Sequence, residues 1–163
     1  VMQTLGDNEY YLRLNFDKEY ALGGSLFMEE RCNPLRPSTN QIIYGHNMPD
    51  GTMFGELNHY EKKSFYEDHP QIAFDTLYTQ NTYQIMAVFR SRVYYNTDDV
   101  FKYYYFFNAT NQEEWDYYYS NVKQLSLYDT GVTAEYGDKF LTLSTCDDEG
   151  EYGRFVVVAK LMQ

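Results

Sequence analysis

A mostly-β barrel with helical insertions is the fold class this sequence predicts, on three observations. Segments rich in Val, Ile, Thr, Tyr and Phe recur along the 163 residues, at 41–46, 82–89, 140–145 and 154–161, and such residues suit a pleated, half-buried surface. Nineteen tyrosines and eleven phenylalanines stand against one tryptophan; a tyrosine on a strand packs its ring and keeps its hydroxyl wet. Only 110–125 sustains helical periodicity.

Taken in order, Asp7 is a helix-start residue ahead of Tyr10, Tyr11 and Leu12. Gly24–Met28 predicts a short strand, and 31–40, with Pro34 and Pro37, a loop. Gln41–His46 reads as a buried strand that ends at a histidine. Asp50-Gly51 is a turn, after which Met53, Phe54 and Leu57 fit one face of a short helix. Phe74–Thr79, a Gln80-Asn81 turn and Thr82–Phe89 form a hairpin whose second strand runs on toward Tyr95, and 96–99 breaks the pattern. Thr110 and Glu113 have capping-box spacing, and Trp115, Tyr118, Val122 and Leu125 then make a helical stripe. Strands follow at Gly131–Ala134, Phe140–Thr145 and Arg154–Leu161.

The length fits one domain with a real core. A formal net charge of −11 without any basic run excludes the nucleic-acid binders, which need clustered Lys and Arg, and disfavours docking on anionic lipid. No apolar run approaches the ~20 residues of a membrane span, and no signal-peptide pattern is present. The start at Val1-Met2-Gln3 reads as a piece of something longer, so the missing anchor or signal does not argue for a cytosolic home. H-E-x-x-H, P-loop and G-x-G-x-x-G patterns are absent. Asp147, Asp148 and Glu149 could offer oxygens to calcium but lack the EF-hand loop pattern. They read as a solvated turn, and neither cofactor nor metal is expected.

The chemistry concentrates near the C-terminus. Leu141–Cys146 is followed by a polar turn and by Arg154–Ala159. Antiparallel pairing of these strands sets Cys146 beside Arg154, since opposed Cβ atoms lie about 4.5–5.5 Å apart. Ser144 and Thr142 share the thiol's face, a polar setting where a structural cysteine would have apolar company. A free thiol needs a base or a positive field to become a thiolate, and a guanidinium supplies the field permanently. His59 and His69 lie among charged residues and read as solvated, whereas His46 closes an apolar strand and can point into a cleft. Cys32 is the second cysteine, and a Cys32–Cys146 disulfide is the structural alternative to a reactive thiol.

These blocks resemble the class B sortases, surface transpeptidases of Gram-positive bacteria. The resemblance rests on 7–12 (DNEYYL), 24–28 (GSLFM), 42–48 (IIYGHNM), 50–55 (DGTMFG), 122–131 (VKQLSLYDTG), 141–146 (TLSTC after Leu141 opens the block) and 154–161 (RFVVVAKL). It covers nearly the whole chain and implies an eight-stranded barrel with a long helix inserted late. It also implies a single catalytic domain over 1–163 that lacks the family's usual N-terminal anchor, helices and first strand. The implied catalytic set is His46, Cys146 and Arg154, with Asn8, Leu12, Thr97 and Ser144 as peptide-groove residues. The implied activity is cleavage of a C-terminal sorting signal after threonine, with a thioester on Cys146 and transfer to an amine of a peptidoglycan precursor at the extracellular face of the membrane. Two alternatives stand beside it: a pilin polymerase that uses a pilin lysine as acceptor, and a non-enzymatic peptide-binding barrel in which Cys146 is structural.

Overall fold

The structure, a computed structural model, describes residues 1–146 and 152–162. Six strands form one sheet: β1 (Phe27–Met28), β2 (Asn40–Tyr44), β3 (Gln71–Ala73), β4 (Thr82–Arg92), β5 (Phe140–Cys146) and β6 (Gly153–Leu161). Their spatial order is β1-β2-β5-β6-β4-β3. The β2–β5 pair is parallel and the others are antiparallel. Helices α1 (Lys63–Asp68) and α2 (Gln112–Leu125) accompany the sheet. The mostly-β class expected from the sequence holds, with six strands among the described residues where the resemblance implied eight.

The central strands are covered on both faces, which explains their near-continuous apolar runs. Val156, Val158, Phe140 and Phe89 pack with Trp115, Tyr118 and Val122 of α2. Phe155, Val157, Ala159 and Leu141 pack on the other side with Leu57 and Tyr66. Each fully buried aliphatic side chain contributes roughly 1.5–3 kcal/mol as an upper figure.

A register shift between Ile85 and Ala87 explains an irregular pattern in β4. Tyr83, Ile85 and Val88 join one cluster, and Met86, Ala87 and Phe89 the other. Strict alternation would put Met86 and Val88 together; one extra residue flips the parity of everything after it.

Local chemistry moved several boundaries. The residue capping α2 is Asn111, whose side chain accepts from the Glu114 backbone N–H at 2.9 Å. The Glu114 carboxylate reaches back to the Thr110 N–H and hydroxyl, both at 2.8 Å. The capping box is therefore shifted one residue from the expected Thr110–Glu113 pair. Trp115, Tyr118 and Val122 are buried as predicted, while Leu125 is exposed at the helix end.

Met53 is not helical: its φ is 55°, and it bridges Asn47. The helical turn begins only at Leu57, and α1 follows it. The Gly24–Met28 strand shortens to Phe27–Met28, and the expected strand at 74–79 lies instead at Gln71–Ala73. Gly131–Ala134 forms no strand. Its neighbour Thr130 instead donates its hydroxyl to the Met86 carbonyl.

Candidate active site

Strand β5 is flanked by β2 on one side and β6 on the other, so the residue at its end meets both neighbours. That residue is Cys146, paired in register with Arg154 as the sequence predicted. On the other side the parallel ladder runs to Tyr44 opposite Ser144. The Gly45 N–H continues it by donating to the Ser144 carbonyl at 3.2 Å. Two residues beyond the Tyr44–Ser144 pair are His46 on the β2 side and Cys146 on β5. Gly45 is required at this crossing, because a Cβ there would collide with Leu26 and Phe54.

Cys146 is exposed and its thiol is free, whereas Arg154 is half-buried. Arg154 Nη1 donates to the Gly153 carbonyl at 2.7 Å, which holds the guanidinium against its own strand. The His46 Nε2 lies 2.8 Å from the Leu12 carbonyl oxygen. A carbonyl only accepts, so Nε2 carries the proton and Nδ1 is the nitrogen left for chemistry.

A groove of about 310 Å³ opens over this end of the sheet, with Cys146, Arg154, Ser144, Leu12 and Asn8 in its walls; His46 is not among the lining residues, although its neighbours Tyr44 and Gly45 are. Cavities of about 550 and 660 Å³ lie elsewhere and contain none of the predicted catalytic residues. Ser144 forms the floor of the groove, nearly inaccessible, with its hydroxyl 2.7 Å from that of Tyr103. Burial pushes the Tyr103 phenol up to about 12, partly offset by that hydrogen bond and by the charge of Arg154. Below it, Thr142 donates to Asn40 Oδ1 at 2.8 Å and so ties β5 to β2.

Thr97 stands apart from the other groove candidates: it is exposed in the turn at 96–97 and does not line this cavity. His59 and His69 are exposed, as expected. Asp147, Asp148 and Glu149, the residues weighed as calcium ligands, lie outside the described residues. Among the described residues no cluster of three or more His, Cys, Asp or Glu side chains could hold a metal, and no helix is long and apolar enough to cross a membrane.

Cys32 is a buried free thiol, so it is not joined to Cys146. Its sulfur donates to the Asn40 carbonyl and accepts from the Ile42 N–H, each at 3.4 Å. Burial pushes this thiol up to about 11.

Several groove residues were missed at the level of sequence. Glu29, Arg31, Tyr44 and Tyr103 all line it. Thr145 does too, and its buried hydroxyl oxygen has no partner among the described residues. Its place between Ser144 and Cys146 was the only available signal. Nothing in the sequence around Glu29 and Glu30 separates a buried carboxylate from a solvated one.

Comparison with known proteins gives one consistent answer. The sortase-domain family pattern matches residues 6–162. Sortase B of Listeria monocytogenes is 38% identical over 160 residues, spanning 96% of this chain and 61% of the relative. Sortase B of Staphylococcus aureus is 33% identical over 161 residues, spanning 96% and 62%. The chain thus spans about three fifths of the length of these curated relatives. Among solved structures, the Staphylococcus aureus sortase B–substrate complex superposes with a TM-score of 0.87 at 32% identity, covering 99% of this chain and 72% of that one. Sortase B from Listeria monocytogenes superposes with a TM-score of 0.82 at 36% identity, covering 96% and 83%.

Proposed function

The chain belongs to the sortase family, in its class B, and from that membership we propose that it is a cysteine transpeptidase acting on sorting signals. The observation that carries the reading is the meeting of three strand ends: Cys146 on β5, Arg154 opposite it on β6, and His46 just past β2.

In the proposed reaction the Cys146 thiol gives its proton to His46 Nδ1, and the thiolate attacks the carbonyl carbon of a threonine near the C-terminus of a substrate protein. Arg154 lies across the ladder from the thiol, where a permanent guanidinium steadies the developing oxyanion. The C–N bond breaks, and His46 delivers a proton from Nδ1 to the departing amine. A thioester remains on Cys146. An incoming amine, on a peptidoglycan precursor at the extracellular face, gives its proton to His46, attacks the thioester and releases the Cys146 thiolate. Each proton that leaves His46 in the first half returns in the second.

The groove supports a peptide donor, because Leu12 and Asn8 line it together with the thiol. The direct test is intact-mass detection of acylated Cys146 after mixing with sorting peptides, with and without added amine. An adduct that disappears faster with amine is expected. Acyl transfer that persists in Cys146→Ala would overturn the assignment.

A further inference from the structure

Three consecutive tyrosines form one turn of 3-10 helix, Tyr103–Tyr105, and each hydroxyl bonds a different part of the chain. Tyr103 shares a 2.7 Å hydrogen bond with Ser144, two residues before Cys146 on β5. The Tyr104 hydroxyl oxygen accepts the Tyr94 backbone N–H at 2.9 Å. Tyr105 donates to Asn96 Oδ1 at 2.7 Å. The rings meet edge to face, with centroids 5.2 Å apart for Tyr103–Tyr104 and 5.0 Å for Tyr104–Tyr105, so the three side chains pack as one unit.

The Tyr104 bond falls where the sheet runs out. The β4–β6 register ends with Ser91 opposite Arg154 and Arg92 opposite Gly153. One more backbone bond follows, from the Val93 N–H to the Tyr152 carbonyl at 2.9 Å. Tyr94 comes next, and its N–H goes to the Tyr104 hydroxyl rather than to a strand. The last rungs of a ladder open most easily, since little beyond them holds them shut. Here those rungs carry Arg154. The Gly153 carbonyl also accepts from its guanidinium at 2.7 Å. Loosening at 91–93 therefore moves both the backbone of Arg154 and the carbonyl that aims its side chain. The arginine is close to the turn, because its charge is felt at the Tyr103 phenol.

We propose that Tyr104 is a positioning residue for Arg154. Its hydroxyl fixes the chain just past β4, the fixed chain keeps the last β4–β6 rungs closed, and those rungs hold Arg154 opposite Cys146. Tyr103 ties the thiol's own strand to the same turn through Ser144. One turn thus sets the end of β6 against the end of β5. Tyr104 acts through the arginine and not on the reacting atoms.

The proposal rests on the transpeptidase reading, so kinetics are paired with a measurement that needs no turnover. Tyr104→Phe keeps the ring and removes only the oxygen. Its kcat for acylation of Cys146 by a sorting peptide is expected to fall about tenfold, with KM within about twofold of wild type. In an Arg154→Ala background the same change should cost less than about twofold, because the group it positions is gone. Replacing Tyr94 by its α-hydroxy acid deletes the N–H and leaves Tyr104 whole; it should reproduce the pattern, and serves if Tyr104→Phe does not fold. An equal loss in both backgrounds, an effect confined to KM, or no loss overturns the role. The arginine is also followed directly by side-chain NMR. Its Nε–H signal, assigned by its absence from Arg154→Ala, should show a lower heteronuclear NOE in Tyr104→Phe, and an unchanged value likewise overturns the role. If no sorting peptide acylates wild-type Cys146 while the arginine signal still responds, the positioning stands and the transpeptidase reading falls.

Discussion

His46 and Leu12 are 34 residues apart in sequence, yet the imidazole Nε2 lies 2.8 Å from the Leu12 carbonyl oxygen. Because a carbonyl cannot donate, this contact selects the tautomer with the proton on Nε2 and leaves Nδ1 unprotonated in the neutral ring. Nitrogen-15 NMR of the neutral imidazole is therefore expected to show the proton on Nε2. A population with the proton on Nδ1 would contradict the assignment of roles.

The same contact depends on a glycine. Gly24 has φ +57°, and a Cβ there would collide with the carbonyl oxygens of Tyr11 and Leu12. Gly24→Ala should displace the Leu12 carbonyl and loosen His46. We expect transfer to fall about tenfold or more, with a stability loss of about 1–3 kcal/mol from the strained backbone. Steady-state kinetics and a denaturant midpoint separate the two effects, and unaltered kcat/KM would show that Leu12 does not orient the histidine.

Arg154 faces Cys146 across the β5–β6 ladder. Loss of one preorganised oxyanion group typically costs ~10²–10³ in rate, so Arg154→Ala should lower kcat by about that much. Arg154→Lys should recover only part, because a point charge replaces a planar fork. Equal activity in the alanine variant would remove the arginine from the mechanism.

The two thiols should differ sharply toward alkylation. Cys146 is exposed, whereas Cys32 is buried and pushed up to about 11. At pH 8 about one Cys32 thiol in a thousand is then ionised. Iodoacetamide on the folded protein should add one adduct, mapped by mass spectrometry to Cys146. Labelling of Cys32 at a comparable rate would refute its burial.

Stability should decline in alkali, and the sign follows from the same burial. Below the ordinary thiol value of ~8.5 both folded and unfolded chains hold the Cys32 proton, and its contribution is intact. Above that value the unfolded chain loses the proton first, so stability falls until the folded thiol titrates at about 11. Tyr103, raised by burial to about 12, extends the decline to higher pH. Cys32→Ser should flatten the slope between pH 9 and 11 by up to about 1.4 kcal/mol per pH unit. Denaturant titrations at stepped pH measure it, and identical slopes would remove Cys32 as the cause.

What could be read from the sequence was local. The Cys146–Arg154 pairing belongs to a single hairpin, so the strands around 147–151 carried enough information to propose it. The stripe of Trp115, Tyr118 and Val122 on α2 likewise depends only on helical spacing. The cap moved because Asn111, not Thr110, accepts a helix-end N–H, while the Thr110 N–H and hydroxyl donate to the Glu114 carboxylate. Family motifs named His46 as well, but spacing alone did not set it level with Cys146. That placement needs parallel pairing of β2 with β5, between segments about a hundred residues apart whose order in the sheet no local pattern encodes. Glu29 is the sharper case: an acidic pair in sequence, a buried and fully bonded carboxylate in the fold. Side-chain chemistry and periodicity determined which strands and which reactive groups this protein has. Only tertiary packing decided which of those groups lost their water and had to find partners.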